Sequence, residues 1–173
     1  MNQFETSLPG KWMPGKKAKK AFDNFDRVIL FTGERHNNHF EVCVLGRKVL
    51  LSLAMLRTLV DLLIARANTE IGFLAQSPVT SRRLRRTIDQ AVKPGTGKSL
   101  IETGSGQEYR IALARETVDK AVMTAPGFFE LVSLKVISSQ QAAQLRRITK
   151  PLKSARNHAV IQRKSGRNQV EIR

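Results

Sequence analysis

The stretch Val92–Gly104, "VKPGTGKSLIETG", decides between two kinds of protein. Its centre, "PGTGKS" at 94–99, has the glycines, lysine and hydroxyl of a phosphate-cradling loop. Such a loop needs G-x-x-x-x-G-K-[ST] placed after a buried strand and before a helix. Gly97, Lys98 and Ser99 satisfy the end of that pattern, but the first glycine should stand at position 92, which is Val92. The residues before it form an arginine-rich amphipathic pattern, not an apolar strand. The residues after it carry a hairpin signature, and no later apolar strand ends in a carboxylate suited to magnesium. The stretch therefore reads as a helix stop followed by a loop with a basic tip, Lys98.

Upstream, "TSRRLRRTIDQAVK" (80–93) predicts a helix capped by Thr80 or Ser81. Leu84, Ile88 and Ala91 fall at i, i+4 and i+7 and predict a core-facing stripe. Arg82, Arg86 and Lys93 fall opposite it, flanked by Arg83, Arg85 and Gln90. Pro94-Gly95 ends the helix. Downstream, "SLIET" and "EYRIAL" predict two strands joined by "GSGQ".

Further upstream, "RVILFTGER" (27–35) predicts a strand. Phe40, Val42 and Val44 alternate with Glu41 and Cys43, and Gly46-Arg47 turns the chain into Val49–Leu51, a hairpin. Ser52 stands as N-cap to a helix whose stripe is Leu56, Leu59, Val60, Leu63 and Ala67. "TEIGFLAQ" predicts a short second helix ended by Pro78. Toward the C-terminus, "PGFFELVSL" and "SSQQAAQLRRI" predict helices, the latter with Ser138 and Gln141 at capping-box spacing.

The chain has 173 residues with 30 Lys+Arg against 14 Asp+Glu, a formal net charge of +16. That excess implies a polyanionic partner, with nucleic acid first. Cys43 is the only cysteine, so no internal disulfide forms. The first twenty residues have no apolar h-region. The most apolar window, Val49–Ala67, contains Arg57 and Asp61, which fits a buried amphipathic helix and no membrane span. His36, His39 and Cys43 have spacings a metal could use. "ERHNNHFE" reads instead as a polar turn entering a strand, so neither metal nor cofactor is expected. Serine or cysteine nucleophiles beside a base, and paired acids, are not evident, so no enzyme activity is expected.

The order hairpin, helix, short helix, basic helix, hairpin resembles the winged-helix DNA-binding domain of bacterial response-regulator type. "VCVLGRKVLLSLAMLRTLVDLL" resembles that family's short sheet, Gly-Arg turn and capped first helix, with Ser52 where a threonine is usual. "VTSRRLRRTIDQAV" resembles its recognition helix. "SLIETGSGQEYRIAL" resembles its wing, although Gly106-Gln107-Glu108-Tyr109 lacks the glycine before the tyrosine. The resemblance covers about residues 40–113, with no receiver domain before it.

It implies an α+β fold: a winged helix with a short N-terminal sheet and a C-terminal wing. The expected organisation is a basic arm at 1–26, a winged-helix domain at 27–113, and a helical extension with a basic tail at 114–173. The expected partner is double-stranded DNA, read in the major groove by helix 81–93, with the wing 98–110 on backbone or minor groove. Arg82, Arg83, Arg85, Arg86, Gln90, Lys93, Lys98 and Arg110 are the expected contacts. Lys16, Lys17, Lys19, Lys20, Arg163, Lys164 and Arg167 are expected on phosphates as basic arms. The role implied is transcription regulation in the cytoplasm, at the nucleoid. The competing expectation is a sequence-independent architectural protein, or an RNA- or ribosome-associated one. The extension is expected to dimerise, through 114–149, or to lie on the first domain, rather than to form a second, degenerate helix-turn-helix.

Overall fold

The computed structural model of the chain describes residues 28–151. The basic-arm positions Lys16, Lys17, Lys19, Lys20, Arg163, Lys164 and Arg167 lie outside the described residues. The described part is a mixed α+β fold with a five-stranded sheet and a three-stranded sheet.

Strands β1 (Ile29–His36), β2 (His39–Val44) and β3 (Arg47–Ser52) form an antiparallel meander. The alternation in β2 sets its register: Phe40, Val42 and Val44 are buried while His39 and Cys43 face outward. The sheet then continues past β1 with parallel strands. The strand Val122–Thr124, β7, pairs with β1 from Ile29↔Val122 to Phe31↔Thr124. Beyond it lies β8 (Lys150–Pro151), giving the order β3-β2-β1-β7-β8.

Helix α1 (Leu53–Asn68) begins as expected, with the Ser52 hydroxyl accepting from the Met55 amide at 3.4 Å. It is buried on more than one side. Besides Leu56, Leu59, Val60 and Leu63, a second row of Met55, Thr58, Leu62 and Arg66 is buried, because α1 packs against both sheets and against neighbouring helices. Burying each leucine contributes about 2 kcal/mol. The charges that interrupt this apolar helix are anchors. Arg57 donates to the carbonyls of Val136 and Lys135, each at 2.9 Å, and Asp61 accepts from the Gln141 side chain at 2.7 Å.

"TEIGFLAQ" is not a helix. The Arg66 guanidinium takes the carbonyls of Glu70 and Ile71, and Leu74–Ala75 forms the short strand β4. That strand pairs with β6 (Glu108–Ile111), which also pairs with β5 (Ile101–Thr103). The second sheet therefore has the order β4-β6-β5. Pro78 opens the next helix rather than closing the previous segment. Helix α2 (Pro78–Ala91) is capped by Ser77, three or four residues before the expected caps, and proline suits the first helical position because its missing N–H has no partner there. Ser99 and Leu100, expected in a strand, end the short helix α3 (Thr96–Leu100).

After β6 the chain makes a 3-10 turn at Arg115–Thr117 and the short helix α4 (Val118–Ala121). "PGFFELV" winds as a 3-10 segment, Pro126–Val132, and not as the expected α-helix. Phe128 from this segment packs on Phe31 with ring centroids 4.7 Å apart. Helix α5 (Ser139–Ile148) has the expected capping box between Ser138 and Gln141. One hydrophobic cluster runs from Val28 to Leu145. The boundary drawn at residue 113 does not coincide with a break in that core, since Phe128, Val136, Ile137 and Leu145 are buried in the same cluster as Phe31 and Leu56.

Candidate nucleic-acid interface

The site is built on the corner between α2 and α3. Leu84 and Ile88 are fully buried, as their spacing predicts, and Ser81 joins them. The opposite side of α2 is open: Arg82, Arg83, Arg86 and Gln90 are exposed, and Lys93 follows in the loop. Neither Arg82, Arg83, Arg86, Lys93 nor Lys98 has a carboxylate of the described residues within 4.0 Å. Arg82 and Arg86 are four residues apart on one face, and like charges at that spacing repel by about 0.2–0.5 kcal/mol. The first turn of α2 also has no acidic residue. These arginines therefore face solvent with no described carboxylate to neutralise them, an arrangement that an external anion relieves.

The glycine-rich stretch that raised the question of a nucleotide loop is the turn of this corner. Val92–Gly95 links the two helices, and Gly95 takes the left-handed conformation at φ +87 as the N-cap of α3. Gly97 lies against the backbone of α2. A Cβ there would stand 2.2 Å from the Arg85 carbonyl oxygen, so only glycine lets the helices approach this closely. The Gly97 amide donates to the Asp89 carboxylate at 2.7 Å. That amide, which a phosphate loop would turn toward its ligand, is held by a side chain of the preceding helix. Lys98 is the exposed side chain of α3, and Thr96, Gly97 and Leu100 are buried.

Two of the expected contacts are turned inward. Arg85 donates through Nη2 to the Ile101 carbonyl at 2.6 Å and to the Thr103 hydroxyl at 2.5 Å, and it stacks over the Tyr109 ring. Burial pushes the Arg85 guanidinium below its ordinary pKa. Arg110 is only 4% exposed. It pairs with Glu102 at 2.6 Å, donates to the Ile71 carbonyl at 3.2 Å, and lies over the Phe73 ring. Glu102 and Arg110 stand directly opposite each other in the hairpin, so this pair fixes the register of β5 against β6. Arg85 ties α2 to β5, and Arg110 ties β6 to β5 and to the Ile71–Phe73 loop, so the charge of both is committed within the chain. The turn of the β5–β6 hairpin, Gly104–Gln107, carries no cation, and Glu108 follows it. Of Lys98 and Arg110, the cations expected to flank this hairpin, Lys98 is the one left open.

The sequence does not single out Asp89; an acidic residue eight positions before Gly97 is its only signal. The inward arginines carried a stronger one: Arg110 lies between the apolar Tyr109 and Ile111, and the "GSGQ" turn sets it opposite Glu102. Arg66 is likewise buried, and burial followed by the nearby Arg110 charge lowers its pKa. Among the described residues, no helix is long and apolar enough to cross a membrane. No protein-family model, no curated protein and no solved structure matches the chain.

Proposed function

We propose that this chain binds duplex DNA through the α2–α3 corner, as a winged-helix protein acting in transcription regulation. The observation that carries the reading is the row of exposed guanidinium groups on α2, Arg82, Arg83 and Arg86, with no described carboxylate to neutralise them. The order α1–β4–α2–α3–β5–β6, with the sheet ordered β4-β6-β5, supports the winged-helix reading. Two helices joined by a four-residue turn containing glycine are the geometry of a helix-turn-helix. Arginine suits the role because its planar fork contacts phosphate or a guanine edge with two parallel hydrogen bonds. Lys93 and Lys98 extend the cationic surface across the turn, and Gln90 offers an amide for a base edge. The nucleoid of a cytoplasm is the compartment this reading implies.

A second reading is favoured by the shortness of α3. In a helix-turn-helix the second helix reads the bases, and α3 is five residues long with Lys98 as its exposed side chain. Binding dominated by phosphates, without sequence preference and to duplex DNA or to RNA, follows from that. Fluorescence anisotropy with a random duplex, a duplex selected for binding and a single-stranded RNA, each titrated across salt, separates the two. Under the first reading the selected duplex stays bound at salt that strips the random one, and Arg86→Ala weakens it more than the random one. Equal loss on all three ligands with a steep salt slope leaves the second. Absence of binding at 50 mM salt refutes both.

A further inference from the structure

The outward face of the β1–β2 hairpin carries a cluster that the nucleic-acid interface does not use. Glu34, His36 and Glu41 each point one donor atom into a space where all three lie within 4.8 Å of one another. His36 Nε2 is 3.0 Å from Glu41 Oε2 and 3.7 Å from Glu34 Oε2. Ligands at about 2.1 Å from a tetrahedral zinc stand about 3.4 Å apart, so the two distances bracket what a metal needs. We propose that these three side chains form a binding site for a divalent transition metal of the zinc class.

The local backbone explains why the donors converge. Between the pairs Phe31↔Val42 and Arg35↔Phe40, β1 advances four residues while β2 advances two. This bulge swings Glu34 and His36 over the outer face of β2. The Thr32 hydroxyl donates to the Glu41 carbonyl at 2.9 Å and ties the bulge to the facing strand. Glu41 is the unusual member. It occupies an outward position in the alternation of β2, yet it is only 4% exposed because the bulge and its neighbours cover it. A carboxylate so enclosed has its orientation set before a ligand arrives, which lowers the entropy cost of binding. Imidazole with carboxylates is a borderline donor set that suits zinc and its neighbours over calcium or magnesium. His39 stands opposite His36 in the register but is not one of the three converging donors, and Cys43 is not one either.

The cluster has a competitor. Lys48 Nζ lies 3.4 Å from the same Glu41 oxygen, on a side chain that is largely exposed. It serves as the counter-ion to Glu41, and a metal would displace it into solvent. That predicts an inverse effect: removing Lys48 strengthens the site while removing a donor weakens it.

Isothermal titration of the full chain, without an affinity tag, with zinc at pH 7.4 tests the proposal. One site is expected, weakened at least tenfold by His36→Ala and by Glu41→Gln, unchanged by His39→Ala and strengthened by Lys48→Met. Cobalt provides a readout independent of heat: its visible band should intensify in a tetrahedral site and be lost in His36→Ala. His36 is half-exposed, so its variant keeps the fold, and circular dichroism checks this if Glu41→Gln does not. Failure to bind zinc below 100 µM, or binding retained in His36→Ala, overturns the proposal.

Discussion

Replacing Gly97 by alanine sets two physical effects against each other, and the corner geometry determines the sign. Gly97 lies inside α3 and does not have a positive φ, so helix propensity alone favours alanine by about 1 kcal/mol. The added Cβ would stand 2.2 Å from the Arg85 carbonyl oxygen and 2.7 Å from its carbonyl and α carbons. These are backbone atoms of a packed helix and cannot rotate away. Reaching the 3.4 Å of an ordinary contact requires α3 to move about 1.2 Å from α2. That movement stretches the 2.7 Å bond from the Gly97 amide to Asp89 and loosens the packing of Leu100 in the core. Overpacking of this kind costs about 1–3 kcal/mol, and loss of the charge-assisted bond adds about 1.5 kcal/mol. The net expectation for Gly97→Ala is a loss of about 2 kcal/mol. With a urea slope of about 2 kcal/mol/M, the unfolding midpoint should drop by about 1 M. Lys98→Ala, next to it and exposed, should stay within about 0.5 kcal/mol of the parent. Gly95→Ala has open space around it but a φ of +87, and should lose about 1–2 kcal/mol. A Gly97→Ala chain as stable as the parent, or more so, would refute the claim that this glycine exists for close helix approach.

Three further perturbations follow from other contacts. Glu102→Ala leaves the buried Arg110 guanidinium without its carboxylate, so stability should fall by about 3 kcal/mol, and Glu102→Gln should recover part of it in thermal unfolding. Arg57→Ala removes two hydrogen bonds to the carbonyls of Lys135 and Val136; it should cost about 1–2 kcal/mol and raise amide exchange selectively at 135–137. Cys43 is held above its ordinary pKa by burial first and by the Glu41 carboxylate second, while Lys48 opposes both. Both main causes disfavour the thiolate, so the midpoint of its iodoacetamide reaction should lie at higher pH in the folded chain than in urea, and higher again in Lys48→Met.

Part of the fold was readable from local signals. The Ser52 and Ser138 caps, the β2–β3 hairpin and the Leu84–Ile88 stripe rest on residues close in sequence, where period and capping chemistry act alone. The strands β4, β7 and β8 were not readable, because two- or three-residue strands exist through the partner they find and not through propensity. The start of α2 was misread because Pro78 can end one element or open the next, and Ser77 decides the matter. In the cationic site the open arginines followed from helical spacing. Arg85 and Arg110 did not, since a guanidinium is presumed exposed until a cross-strand partner and an aromatic face are found for it.

The parallel pairing of β1 with β7 has a consequence for how the chain comes together during synthesis. The meander and α1 are continuous in sequence and can collapse as soon as they leave the ribosome. β1, however, waits for Val122, more than ninety residues later, before its second edge is covered. Until then that edge presents unpaired amides and carbonyls beside Phe31, whose aromatic partner Phe128 arrives later still. The slow step of folding should therefore be closure of this long loop, and nascent chains stalled before residue 122 should be the species most prone to associate.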